Sequence, residues 1–137
     1  MTLPADDHEA IRQRLARYNF AIDFGDVAEW VACFTPDGAF ECSGLPEGHV
    51  QGGRHVGPVE LAAYAEAHSR VSQGTARHWN WNLMIEGADN QATMKCYLGA
   101  QGGTGKSAVL RSIGIYRDRL VKSDGVWLFA ERHVTIG

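Results

Sequence analysis

Apolar and polar positions follow one period in the first half of the chain and another in the second. In the first half, Ile11, Leu15, Tyr18 and Ile22 recur at the spacing of a single helix face. The second half consists of long runs with the two-residue period of strands, separated by short segments rich in glycine, aspartate and asparagine. The pattern therefore predicts helices first and an antiparallel sheet afterwards.

Local signals predict where the helices begin and end. Asp6 and Glu9 resemble a capping pair at the start of the first helix, and Gly25 stops it. Asp26 then opens a short second helix. A third helix is predicted from Pro58 to Val71, because proline suits the first turn of a helix.

Strands fill the remainder of the chain. Thr35–Gly38 reads as a turn, Ala39–Ser43 as a short strand, and Gly44–Gly57 as a loop with a brief strand around His49–His55. The four predicted long strands are Thr75–Glu86, Gln91–Gln101, Ser107–Val121 and Val126–Ile136. This order predicts a single α+β domain over residues 1–137, with helices packed on one face of the sheet.

Composition and charge exclude several classes of function. A net charge of −3 provides no basic field for nucleic acid or an anionic membrane surface. No apolar run approaches the ~18 residues that span a bilayer. The polar, acidic first ten residues resemble neither a signal nor a transit peptide. Cys33, Cys42 and Cys96 lack CxxC spacing, which favours reduced thiols and a cytoplasmic location.

Tyr18, Asp23 and His78 are the main candidates for chemistry. A carboxylate that holds one imidazole nitrogen leaves the other nitrogen free to take a proton, and a nearby phenol can donate one. Asn19 lies between Tyr18 and Asp23 around the helix and is a further candidate for contact with a ligand. This combination predicts an acid/base catalyst that needs no cofactor.

Strand alternation predicts which side chains accompany His78. One face should carry His78, Asn80, Asn82 and Met84, and the other Trp79, Trp81, Leu83 and Ile85. A polar face suits a cavity that orients a ligand, and the tryptophan face would then pack against a partner subunit. The opposite assignment would place both tryptophans in the core.

Neither a metal site nor a phosphate-binding loop is predicted. The other histidines show no metal-ligand spacing. Ala100–Ser107 fits a relaxed phosphate-loop pattern, but that chemistry needs a following helix, and residues 108–116 have a strand pattern instead. We therefore expect Gly102–Gly105 to form a hairpin turn.

Several phrases of the sequence resemble one known family. They are Tyr18…Asp23-Phe24-Gly25-Asp26, Phe34-Thr35-Pro36-Asp37-Gly38, Arg77-His78-Trp79-Asn80, Ile115–Leu120 and Asp124–Trp127. Together with the order of elements, they resemble the SnoaL-like branch of the nuclear-transport-factor-2-like superfamily over nearly the whole chain. The resemblance implies a cone-shaped α+β barrel, in which three N-terminal helices pack on a strongly curved, mainly antiparallel sheet that encloses a cavity.

The resemblance also implies site residues. Asp23 and His78 match the aspartate and histidine of the dehydratase and dehydrochlorinase branch, and Tyr18 matches a tyrosine of bile acid dehydratases. Arg132 corresponds to an arginine on the last strand of that group, although Arg111, Arg117 and Arg119 compete for the role. The second functional histidine of scytalone dehydratase has no counterpart in Met94–Tyr97.

These observations favour a cofactor-independent lyase with a small hydrophobic cyclic or aromatic substrate. His78 would be the base, Asp23 would orient it, and Tyr18 would assist the leaving group, with Arg132, Asn80 and Asn19 contacting substrate. Dehydration is the preferred reaction, and a retro-aldol-type cleavage uses the same base. The alternatives are an isomerase or cyclase with Asp23 as base, and a non-catalytic module like the small subunits of ring-hydroxylating dioxygenases. A homodimer or homotrimer through the outer sheet face is expected in each case.

Overall fold

Three helices pack on one face of a six-stranded sheet in the computed structural model, which describes residues 2–137. The helices are α1 (Ala5–Phe24), α2 (Val27–Val31) and α3 (Gly57–Ser72), and the strands are β1 (Phe34–Ser43), β2 (Gly53–Val56), β3 (Arg77–Ala88), β4 (Gln91–Gly102), β5 (Val109–Ser123) and β6 (Val126–Ile136). The strand order is β2-β1-β6-β5-β4-β3, and only the β1–β6 pair is parallel among the described strands. The sheet is curved and not closed, which confirms the predicted α+β cone fold.

The helix ends depend on local geometry that the sequence indicates well. Gly25 ends α1 in the left-handed region, at φ 76°. The Asp26 carboxylate accepts a hydrogen bond from the Glu29 backbone N–H at 3.1 Å and so caps α2 as predicted. The predicted capping pair of α1 is wrong, because Pro4 is the N-cap and Asp6 lies inside the first turn. There its carboxylate lies close to the positive end of the helix dipole.

The turn predicted at Thr35–Gly38 is also wrong. This segment lies within β1, and the pairing of β1 with β6 shifts register between Phe34 and Ala39. A side chain at Gly38 would place its Cβ 2.9 Å from the Phe34 Cβ and 3.1 Å from the Phe129 carbonyl oxygen. β1 therefore pairs with β6 on both sides of the extra residues, which form an irregularity within the strand.

A second irregularity interrupts β3. The register against β4 shifts between Trp81 and Met84, and Asn82 adopts φ 57°. The predicted alternation holds as far as Trp81 and is inverted beyond it. Met84 points outward and is 58% exposed, whereas Ile85 is buried. A bulge adds one residue to the strand and thereby moves every later side chain to the other face.

The core lies between the helices and the inner face of the sheet. Its largest fully buried apolar side chains come from both layers: Ile11, Tyr18, Trp30, Leu61, Met94, Leu120 and Phe129. The glycine-rich segment that resembles a phosphate loop connects β4 to β5 through a single turn of 3-10 helix at Gly105–Ser107, and β5 begins two residues later at Val109. Among residues 2–137, no helix has the length and hydropathy needed to cross a bilayer.

Candidate active site

A cavity of about 480 Å³ opens between α3 and the sheet. Five of the six strands, α3 and the loop after β1 contribute to its wall, and most of the wall is apolar. Side chains that matter for its chemistry or shape are Phe40, Tyr64, His68, His78, Leu98 and Tyr116. A concave, mainly apolar site with a few polar groups is the usual form of a small-molecule site.

Asp23 fixes the ring of His78 at this wall. Asp23 is the penultimate residue of α1, and His78 is the second residue of β3. The Asp23 Oδ1 lies 2.5 Å from His78 Nδ1, and Oδ2 accepts the His78 backbone N–H at 3.1 Å. Since an ionised carboxylate only accepts, Nδ1 carries the proton and Nε2 holds the lone pair. His78 lines the cavity, whereas Asp23 lies behind it and is 5% exposed.

His68 is a second histidine of the same wall, and it was not among the predicted site residues. It lies on α3, it is buried, and its ring centroid is 5.4 Å from that of His78. Burial lowers the pKa of His68 to about 4, and the neighbouring His78 adds to the lowering. The imidazole of His68 is therefore neutral near pH 7. One signal could have identified it: Leu61, Tyr64, Ala65 and His68 form the buried stripe of α3.

Other cavity groups are hydrogen-bonding groups rather than nucleophiles. Burial raises the pKa of Tyr64 and of Tyr116 well above the usual value of a phenol, so both keep their protons. Burial also raises the pKa of the Cys42 thiol to about 11. A protonated thiol is a poor nucleophile, which argues against covalent catalysis through Cys42.

Tyr18 and Arg132 lie deeper than the cavity wall. Both are buried, and neither is among the residues that line the cavity. The Arg132 Nε donates to Asp118 Oδ1 at 3.0 Å, and its guanidinium carbon lies 4.4 Å from the Tyr18 ring centroid and 3.6 Å from that of Tyr116. Burial raises the pKa of Tyr18 to about 12. Of this group, only Tyr116 reaches the cavity.

Asn19 and Asn80 contact each other. The Asn19 amide donates to Asn80 Oδ1 at 2.7 Å, and the Asn80 amide donates to the Tyr97 carbonyl at 2.9 Å. Neither asparagine is among the residues that line the cavity. Their pair joins α1 to β3 next to the Asp23–His78 contact. The structure thus brings His78 to the cavity directly, and it places Asp23, Asn19 and Asn80 beside it.

No group of three His, Cys, Asp or Glu side chains within residues 2–137 is arranged to hold a metal ion. The cavity groups instead form an acid/base set: an imidazole with a free lone pair, a neutral imidazole and two phenols. Such a set can move protons on a bound organic molecule.

Comparisons with known proteins agree on the fold and leave the reaction open. A structure from Nostoc punctiforme of unknown function, with a cystatin-like fold, superposes with a TM-score of 0.86 at 26% identity, over 100% of this chain and 96% of that one. Rv3472 from Mycobacterium tuberculosis, also of unknown function, gives a TM-score of 0.85 at 31% identity, over 98% and 78%.

A scytalone dehydratase candidate from Novosphingobium aromaticivorans gives a TM-score of 0.75 at 22% identity, over 96% of this chain and 84% of that one, and at this identity it supports the fold alone. The search among curated proteins found no match. The model of the SnoaL-like domain matches residues 4–133. On this match over almost its entire length, the chain belongs to the SnoaL-like domain family.

Proposed function

We propose that this protein is a cofactor-independent lyase of the dehydratase type, acting on a small hydrophobic cyclic or aromatic molecule. One observation carries the proposal: His78 lies at the wall of an apolar cavity with its Nδ1 held by Asp23. An imidazole with a fixed tautomer and a carboxylate behind it has the geometry of a general base.

The proposed reaction is an elimination with one base. His78 Nε2 takes a proton from a carbon next to a carbonyl, and the electron pair of that C–H bond forms the new double bond. The C–O bond to the neighbouring hydroxyl breaks, and the imidazolium returns its proton to the leaving oxygen, which departs as water. Asp23 offsets the positive charge of His78 between the two proton transfers. Tyr18 would act as a positioning residue, through its contact with Arg132 and the contact of Arg132 with Tyr116.

An isomerase or cyclase with Asp23 as the base is the less favoured alternative. Both carboxylate oxygens of Asp23 contact His78, and Asp23 does not line the cavity. A carboxylate in this position supports an imidazole rather than reaching a substrate. An isomerase that uses His78 as its base is chemically closer to the proposed elimination. It differs in that the proton returns to another carbon and the mass of the substrate is conserved.

Deuterium exchange and elimination test the proposal separately. Wild type should exchange the protons next to the carbonyl of 1-tetralone in D2O, and should convert 3-hydroxy-1-tetralone to 1-naphthol and water. His78→Gln should lower both rates by about 10²-fold or more, as expected for loss of a general base. His133→Gln, which changes a histidine outside the cavity, is the matched control. Full exchange by His78→Gln, or no exchange by wild type, would reject the assignment of His78 as the general base.

Self-association through the outer side of the sheet is a second proposal. Trp79, Trp81, Tyr97 and Ile113 form an outer aromatic face on β3, β4 and β5, and each is about half exposed. Trp81 pairs with Tyr97, and Trp79 and Ile113 both pair with Gly99, so the four lie in adjacent rows. Large exposed apolar patches of this kind mark interaction sites. A second copy of this chain is the proposed occupant, since each copy carries the same apolar face and a symmetric dimer joins two identical faces.

The state of the cysteines supports a proposal about the cellular compartment. Cys33, Cys42 and Cys96 are all free and buried. Free thiols support the proposal that the protein works in a reducing compartment such as the cytoplasm.

A further inference from the structure

His68 has an unsatisfied nitrogen in the wall of the cavity. Its Nδ1 lies 2.9 Å from Gln51 Nε2, while its Nε2 is buried and has no hydrogen-bond partner among residues 2–137. His68 itself is 6% exposed and lines the cavity. A buried polar atom without a partner costs free energy, so a site that retains one generally uses it.

Gln51 determines which proton His68 carries. The amide nitrogen of Gln51 can only donate, so Nδ1 of His68 accepts and the single proton of the neutral ring lies on Nε2. The two histidines of the cavity are therefore complementary. His78 presents a lone pair at Nε2, and His68 presents an N–H.

Ser72 adds a second unsatisfied group on the same helix face. It follows His68 by four residues on α3, which places the two side chains one turn apart. A serine inside a helix often bonds the carbonyl four residues earlier. The Ser72 hydroxyl oxygen instead is buried without a partner among the described residues, and Ser72 also lines the cavity.

We infer that the Nε2–H of His68 and the hydroxyl of Ser72 form an oxygen-binding subsite, which receives the carbonyl or enolate oxygen of the substrate while His78 takes a proton from the adjacent carbon. This inference rests on the proposed function and narrows the substrate class to molecules with a carbonyl oxygen next to the carbon that loses its proton.

The chemistry of this subsite is hydrogen bonding without proton transfer. When His78 takes the proton, negative charge moves from carbon to the carbonyl oxygen, and preformed donors stabilise it there. His68 remains neutral during this step, because a second imidazolium 5.4 Å from protonated His78 would be repelled. The donors then release a ketone or a phenol without a change in their own protonation.

Infrared difference spectroscopy of 1-tetralone labelled with ¹³C at its carbonyl tests the subsite independently of turnover. In wild type the carbonyl stretch of the bound ketone should move to lower wavenumber than in an apolar solvent. His68→Phe keeps a buried ring and removes the donor, so the band should return toward its apolar position and Kd should rise roughly five- to tenfold. His68→Gln restores an N–H donor and should recover part of the shift. Val59→Ala, an exposed change on the same helix and outside the cavity lining, is the control.

Gln51→Glu provides an independent test of the tautomer. A carboxylate would accept from Nδ1 and would also raise the pKa of His68, so the test is made at a pH above that raised pKa. There the ring is neutral, and Nε2 of His68 loses its proton and its role as donor. Imidazole ¹⁵N shifts should show the exchanged tautomer, and the carbonyl shift of bound 1-tetralone should disappear.

The outcomes separate this inference from the proposed function. An unchanged carbonyl band in His68→Phe, with exchange still lost in His78→Gln, would reject the subsite and leave the lyase proposal standing. A shifted band that depends on His68, together with no exchange by wild type, would retain the subsite and reject the lyase. If His68→Phe does not fold, the result with Gln51→Glu decides the question by the same criterion.

Discussion

Both carboxylate oxygens of Asp23 contact His78: Oδ1 faces the ring Nδ1 at 2.5 Å, and Oδ2 accepts the backbone N–H at 3.1 Å. One aspartate therefore fixes both the position of the strand and the orientation of the ring. This double contact joins the end of α1 to the start of β3. It also leaves Asp23 without a free oxygen directed at the cavity.

Asp23→Asn should therefore abolish the proton acceptor at Nε2 of His78 while preserving the shape of the site. The amide oxygen can retain the backbone contact, and the amide nitrogen then faces Nδ1, which forces the proton of His78 to Nε2. We expect the exchange rate of 1-tetralone to fall by about 10²-fold or more. Asp26→Asn is the matched control, because asparagine also caps a helix and Asp26 is exposed. Equal activity of the two variants would contradict the role of Asp23.

His68 should make the folded state less stable as the pH falls. Its folded pKa is about 4, below the usual 6.5, so between these values the unfolded chain binds more protons. Its contribution is present above about pH 6.5 and is lost toward pH 4, with a total on the order of 3 kcal/mol at most. Burial also raises the pKa of Asp118 to about 6, which acts in the opposite direction between 3.8 and 6.

Urea unfolding of wild type and His68→Phe at several pH values isolates this contribution. Asp118 is present in both proteins, so the difference in free energy of unfolding reports His68 alone. The difference should shift in favour of the variant as the pH decreases from 6.5 to 4. A difference that does not vary with pH would show that His68 is not neutral by burial.

Breaking the ion pair between Arg132 and Asp118 should greatly lower the free energy of unfolding. Both side chains are fully buried, and Asp118 Oδ2 and Arg132 Nη1 have no further partners among residues 2–137. Asp118→Asn leaves the guanidinium charge uncompensated and should cost about 3–5 kcal/mol of unfolding free energy. Asp124→Asn, in the exposed turn before β6, should cost close to nothing. The double variant Asp118→Leu with Arg132→Met should be more stable than Asp118→Asn alone, because it removes both charges.

The outer aromatic face should control the oligomeric state. Ile113→Lys places a charge on that face, in the same cross-strand row as Trp79. The variant should shift the protein toward the monomer, as measured by light scattering coupled to size exclusion. Val59→Lys is a control on α3, where Val59 is 82% exposed. A monomeric wild type, or an unchanged mass in Ile113→Lys, would contradict this interface.

Strand and helix positions were predictable to within a few residues where local signals are strong. The predicted bounds of β6, from Val126 to Ile136, match the structure, because a turn at Asp124 and Gly125 and a regular alternation define them. Local signals failed at Thr35–Gly38 and at Asn82. In both places pairing with a neighbouring strand, β6 or β4, decides the backbone path, and one strand's sequence does not contain that information.

The sequence by itself determined the fold class, the family and the pair of residues proposed for the chemistry, because periodicity, turn residues and short phrases are local properties of the chain. The tertiary structure decided which polar groups reach the cavity. Asp23 and His78 are 55 positions apart, and their contact depends on how α1 crosses β3. The same packing directs His68 to the cavity and Arg132 to Asp118, since both side chains become buried only when the helices pack on the curved sheet.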